Sequence, residues 1–399
     1  MNLDIHTRIK KSGLHPINED EEYLNSIYKY RKRKLISFVL IIVLILLIIA
    51  ASIVLYYFHT YEGYKVLEEQ EHSDSTYVSY EAINDLQLRY TKDGISLFEN
   101  GNKTVWSATY EMQSPLTDIC GDYIIVYERN GNKIYLFNTT EALYTFESTM
   151  PIKMARVSEK GTIAIILEEE EQIHRLKYID SKGENIAEGR AFFNERGYPM
   201  DMSLSYDGYK LCVSYYVIDG VSAKTNLIFY SFDDIGDSNV DNIVTQNSYD
   251  DTIVPTVRFL KDGSLIAFSD SGMILYSKDK KPEVMKILDI SGEIASVFYD
   301  DKNFGTVTID EQGRKTLTVY GKNGKTASEI PFDFDYTDIR IKNDTILMYN
   351  TTKWRVYMKN GYLKAQGEYT GEITQMVPAG FNRYTIVGSN KIEKIKLAN

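Results

Sequence analysis

Seven times between residues 116 and 387 the chain repeats one device: an apolar strand, a tight turn and a second apolar strand. The copies are LTDICGDYIIV (116–126), KMARVSEKGTIAII (153–166), MSLSYDGYKLCV (202–213), TVRFLKDGSLIAF (256–268), ASVFYDDKNFGTVTI (295–309), TDIRIKNDTILMY (337–349) and QMVPAGFNRYTIV (375–387). Anchored at Asp122, Gly161, Gly208, Gly263, Asn303, Asp344 and Asn382, they are spaced by 39, 47, 55, 40, 41 and 38 residues. A period near 40 is the length of one four-stranded propeller blade. Lys-Gly, Asp-Gly and Asn-Asp pairs suit turns with positive φ, whose twist matches that of antiparallel strands. Thirty-two tyrosines, with abundant Val, Ile, Thr and Phe, add a strong β bias.

Seven hairpins predict an all-β, seven-bladed propeller. Strands at 94–98 and 103–110 have no such hairpin before them, and the last copy has few residues after it. A final blade built from both chain ends resolves both facts and leaves no open edge. Eight blades result if residues 86–110 form most of a blade alone. The long third spacing, 55 residues, places surface excursions at 219–224 and 233–252.

Ahead of the repeats, Leu35 to Phe58 runs for 24 residues without a charge, directly after Arg31-Lys32-Arg33-Lys34. As a helix it spans about 36 Å, against about 30 Å of hydrocarbon in a bilayer. Backbone groups in lipid must be satisfied within the segment, so the run crosses only as a helix. The basic cluster orients it with the N-terminus cytoplasmic. The run is too long for a signal peptide, and Tyr56-Tyr57-Phe58 stands where a cleavage site needs small residues. The expected organisation is a cytoplasmic tail (1–34), a single transmembrane helix (35–58), a juxtamembrane stalk (59–84) and an extracytoplasmic propeller (85–399).

Charge follows that division. The tail holds 8 basic and 5 acidic residues, net +3, and the part beyond the apolar run holds 37 and 51, net −14. An acidic outer domain repels nucleic acid and anionic surfaces. The charge names no partner. A propeller tethered by one helix, with loops on two faces, is expected to meet the membrane through that helix and an envelope or membrane protein, and no nucleic acid. Cys120 and Cys212 lie in different repeats and read as two separate buried thiols.

Several stretches, YTKDGISLFENGNKTVWSATYEMQSP (90–115), CGDYIIVYERNGNKIYLFN (120–138), GYPMDMSLSYDGYKLCVSY (197–215), YDDTIVPTVRFLKDG (249–263), SVFYDDKNFG (296–305) and FDFDYTDI (332–339), resemble domain-of-unknown-function family 5711, each in family order. The resemblance implies a membrane-anchored β-propeller of Gram-positive anaerobic bacteria and carries no catalytic residues across. A weaker likeness to quinoprotein-type propellers rests on Gly101-Asn102-Lys103-Thr104-Val105-Trp106. It implies a packing role for Trp106 and no quinone; Trp354 lies outside that pattern.

Catalytic signals are sparse. Of His6, His15, His59, His72 and His174, only His174 falls in the propeller, so neither a zinc constellation nor a triad is supported, and it reads as a solvated or strand-face residue. Asp250-Asp251 and Asp300-Asp301 are carboxylate pairs on one expected rim, and also ordinary turn chemistry. Asp237 to Asn242 imitates the start of a calcium loop, but Asn242 and Ser248 replace the Gly and Glu such a loop requires, leaving a flexible acidic loop. Glu168 to Glu171 reads as a solvated edge. Asn138, Asn343 and Asn350 are sequons without a supporting context, and no phosphate-binding loop is visible. No catalytic, cofactor-binding or metal-binding residue is assigned, and no cofactor is expected. The leading reading is a non-enzymatic binding module; a carboxylate-dependent hydrolase and a ligand sensor signalling through the tail are the alternatives.

Overall fold

A computed structural model of the chain describes residues 19–71, 78–84, 86–99, 103–170, 172–192, 196–220, 222–342 and 344–399. It divides into two compact units, residues 1–59 and 60–399. In the first, helix α1 (Glu19–Tyr57) runs unbroken for 39 residues. The basic cluster Arg31 to Lys34 and the apolar run therefore share one helix. Within it, Tyr23–Ser52 is long and apolar enough to cross a membrane.

The second unit is an eight-bladed propeller of four-stranded antiparallel sheets among the described residues. Blades 1 to 7 cover 78–109, 115–147, 152–192, 198–250, 256–289, 293–332 and 338–368. Blade 8 joins three strands from 373–398 to Gly63–Glu71. All seven sequence repeats are the inner two strands of blades 2 to 8. The expected positive φ occurs at Gly161, Gly208, Gly263 and Asp344 (78°, 80°, 85° and 64°).

The eighth inner hairpin is Val78–Ile83 with Leu86–Thr91, turning at Asn84 (φ 50°). Its turn precedes Asp122 by 38 residues, so the period holds. Polar residues (Ser79, Glu81, Gln87 and Arg89) hide it, because this hairpin meets the axis and an unusually polar seam. The ring closes as expected, by strands from both chain ends. The closing strand, however, is Gly63–Glu71, inside the stretch read as a stalk. It pairs from Gly63↔Ala398 to Glu71↔Lys391. An outermost strand needs no apolar period, and its acids meet lysines across the pair: Glu68–Lys394 at 3.3 Å and Glu69–Lys391 at 3.4 Å.

The long fourth unit differs from expectation too. Asp219 pairs with Ser222 at the end of a hairpin of two ten-residue strands, Lys210–Asp219 and Ser222–Ser231, and Ile243–Asp250 is the outer strand of blade 4. Only 234–242 leaves the sheet, as a short helix, Asp234–Asp237, capped by Asp233, and a 3-10 turn, Val240–Asn242.

Apolar side chains fill the seams between blades. Trp354 is fully buried between blades 7 and 8, opposite Gly367 on the neighbouring strand. A Cβ at Gly367 would lie 2.5 Å from the Trp354 ring, so only glycine leaves space for the indole. Gly367→Ala should cost about 1–3 kcal/mol through overpacking. Denaturant unfolding of the two proteins checks this, and unchanged stability would show that the seam relaxes freely.

Candidate binding site on the propeller axis

The inner strands alternate between seam and axis. In blade 5, Val257 and Phe259 are buried in seams while Arg258 between them turns inward. Neighbouring blades contribute opposite charges. Asp201 of blade 4 is 7% exposed and accepts from Arg156 of blade 3 at 2.9 Å and from Arg258 of blade 5 at 2.5 Å. The Val257 amide also donates to Asp201, at 3.0 Å. Asp118 of blade 2 lies 3.9 Å from Arg156 and accepts from the Val157 amide. Arg258 stacks its guanidinium over Tyr299 of blade 6, 4.7 Å from the ring centre. Burial opposes the Arg156 charge, but Asp118 and Asp201 outweigh it and raise its pKa above the ordinary value.

Across the axis, Arg340 of blade 7 bonds Glu81 of blade 1 at 3.1 Å and Asp338 at 2.8 Å. Tyr349 donates a second hydrogen bond to Asp338. Beside this group a cavity of about 400 Å³ opens between blades 1, 6, 7 and 8. Its walls combine Glu81, Arg340 and Lys342 with Val297, Tyr299 and Pro378. Chemically the cavity offers fixed charges beside apolar area, with the carboxylates held by arginine. Sequence reasoning missed these residues. The only signal was a charge inside some of the apolar inner strands, as in MARV, MDM, VRF and DIRI.

The sequence candidates do not converge. Asp250 ends the outer strand of blade 4, whereas Asp300 and Asp301 follow the inner strand of blade 6. By strand direction the two pairs lie on opposite faces, not on one rim. Asp300 caps its own turn through the Lys302 and Asn303 amides. In the calcium-like stretch Asp241 binds Arg196 at 2.6 Å, and the segment holds the end of a short helix and a 3-10 turn in which Asp241 has a left-handed φ of 55°. Glu168 pairs with Lys153, and Glu169 is gripped by Arg175 and Arg190, whose hydrogen bonds hold its pKa below the usual value. Glu171, Asn343, Gly101, Asn102, His6, His15 and His72 lie outside the described residues. Asn138 and Asn350 cap turns.

Cys120 and Cys212 are free and buried in different seams, as expected, and burial pushes the Cys120 thiol up to about 12. Trp106 stacks on Phe137 at 5.1 Å, the packing role expected of it. His174 is strand-borne but not solvated. It is 1% exposed, edge-on to Tyr198, and neither ring nitrogen has a partner. Burial lowers its pKa; Lys153 adds to that, and Glu168 opposes it.

Two outcomes follow. Asp201→Asn should destabilise the ring by about 3 kcal/mol, because two partly buried guanidiniums lose the anion that they share at hydrogen-bond distance; unfolding in denaturant reads this out. At His174 the unfolded chain binds a proton below about pH 6.5 that the folded chain refuses. Stability should therefore fall as pH drops from about 6.5 towards the lowered folded pKa. His174→Phe should flatten that part of the pH profile, and an unchanged slope would assign it to other groups.

The axial arrangement is borne on a widespread fold. Among solved structures the chain is similar to BamB from Moraxella catarrhalis, at 12% identity and TM-score 0.50, covering 84% of this chain and 99% of that one. It is also similar to Sqt1 of Saccharomyces cerevisiae, at 8% identity and TM-score 0.55, covering 86% and 100%. At such identities the likeness is one of fold alone. No curated protein matches the sequence. The profile of a family of unknown function, DUF5711, matches residues 57–397, and by that match over most of its length the chain belongs to this family.

Proposed function

We propose that this protein is a membrane-tethered, extracytoplasmic binding module without catalytic activity. Helix α1 serves as the anchor, with residues 1–34 cytoplasmic and the propeller outside. The apolar side chains from Leu35 to Ile49 are uncovered by protein, as a lipid-facing helix requires, and Arg31 to Lys34 favour the inward N-terminus. One observation carries the binding reading: the cavity beside the axis presents Glu81 already committed to Arg340, with apolar walls around it. Among the described residues its lining includes no histidine and no unpaired carboxylate to act as acid, base or nucleophile. The expected partner is an envelope or membrane protein.

Two experiments test this reading. Protease added to intact cells should digest the propeller and spare an N-terminal tag; a protected propeller would overturn the topology. Cross-linking in membranes should retain a partner with the wild-type chain and lose it when Val297→Trp fills the cavity. No protein enriched over a helix-only control would sink the binding module.

A further inference from the structure

The seam between blades 8 and 1 differs from the other seven. Among the described residues, each of those is filled by a cluster of six to thirteen buried apolar side chains, and this one by four: Tyr80, Val377, Val387 and Ile392. Hydrogen bonds replace the missing apolar contacts. Gln375 of blade 8 accepts from the Tyr80 amide at 2.9 Å and donates to the Tyr80 carbonyl at 3.0 Å, and Gln87 donates to Thr385. Beside them the seam is open. Two crevices, of about 80 and 250 Å³, share Glu68, Gln87, Phe98 and Lys394. Ala82 and Pro378 line both the smaller crevice and the axial cavity. A slot therefore leads from the axis outward along this seam.

Its charges are unequal in availability. Glu68, Glu69, Glu81 and Glu99 are each paired, with Lys394, Lys391, Arg340 and Lys103. Arg383, Arg89 and Lys342, spread along the slot and the cavity, have no ion pair among the described residues. The Arg89 Nε is buried without an acceptor. An orphaned buried donor on a cation is costly unless something accepts from it. Leu67, 49% exposed, and half-buried Phe98 supply apolar contact along the same walls. Crevices this small admit side chains of an extended strand but not a helix about 10 Å across.

We propose that the slot between blades 8 and 1 binds an extended acidic peptide segment of a partner protein, with Arg89 and Arg383 taking its carboxylates. The assignment rests on the binding-module reading and locates its site. It accounts for two arginines without an ion pair among the described residues in a domain whose net charge is −14 beyond the apolar run.

The test uses the full chain in detergent micelles and fluorescence anisotropy of a labelled peptide alternating Glu or Asp with Leu or Val. The same peptide with Lys at every acidic position is the control. The acidic peptide should bind, more weakly as salt rises, and the basic one should not. Arg89→Ala with Arg383→Ala should weaken binding at least tenfold, and lysine at both positions should retain most of it. Arg383→Glu alone, at an exposed site, gives the same loss should the double variant fail to fold. No binding, equal binding of both peptides, or binding unmoved by these variants overturns the slot. Repeating the membrane cross-linking with Arg383→Glu separates the two claims: a partner retained by this variant refutes the slot and leaves the binding module standing, whereas a wild-type chain that captures nothing refutes both.

Discussion

Everything in this propeller depends on one strand pairing, that of Gly63–Glu71 with Lys391–Ala398. Without it blade 8 would end in an unpaired strand, and the strands at the two ends of the domain would have no register with each other. Backbone hydrogen bonds give this pairing its geometry. Cross-strand charges between an acidic strand and a lysine-rich one reinforce it only modestly, since exposed pairs contribute about 0–1 kcal/mol each. The closing strand begins shortly after helix α1 ends, so the element that completes the ring is also the first the chain forms beyond the helix.

Closure sets the geometry of the axis. Eight inner strands meet there, and those of blades 1 to 5 and 7 carry charged side chains, among them Glu81, Asp118, Arg156, Asp201, Arg258 and Arg340. Opposite signs on adjacent blades let Asp118, Arg156, Asp201 and Arg258 neutralise one another at hydrogen-bond distance. A buried network of this type adds less stability than specificity: removing one member is costly, while the intact set is close to balanced. Between blades 1, 6, 7 and 8 the network does not fill the available space. Ala82 and Pro378 line both that cavity and the smaller crevice of the polar seam, so these openings lie together on one side of the ring.

Much of the fold was legible in the sequence because its signal is local. Seven inner hairpins follow from apolar strands flanking Gly, Asp and Asn turns, and Gly161, Gly208 and Gly263 carry the positive φ those turns require. The eighth was hidden because Ser79, Glu81, Gln87 and Arg89 break its apolar pattern. They do so because blade 1 faces the polar seam. The carboxylate pairs Asp250-Asp251 and Asp300-Asp301 looked equivalent in sequence, yet strand direction separates them onto opposite faces.

By itself the sequence determined the apolar helix, the blade period and the family, since each depends on residues near one another along the chain. Only the tertiary structure decided which polar residues matter. A charged residue inside an apolar strand, such as Arg156 or Arg258, reads the same whether it faces solvent or the axis. Packing of three adjacent blades brings Arg156 and Arg258 onto Asp201 between them. The loosely filled seam arises the same way, from side chains about 300 residues apart in sequence, such as Gln87 and Thr385, that meet only once the ring is shut.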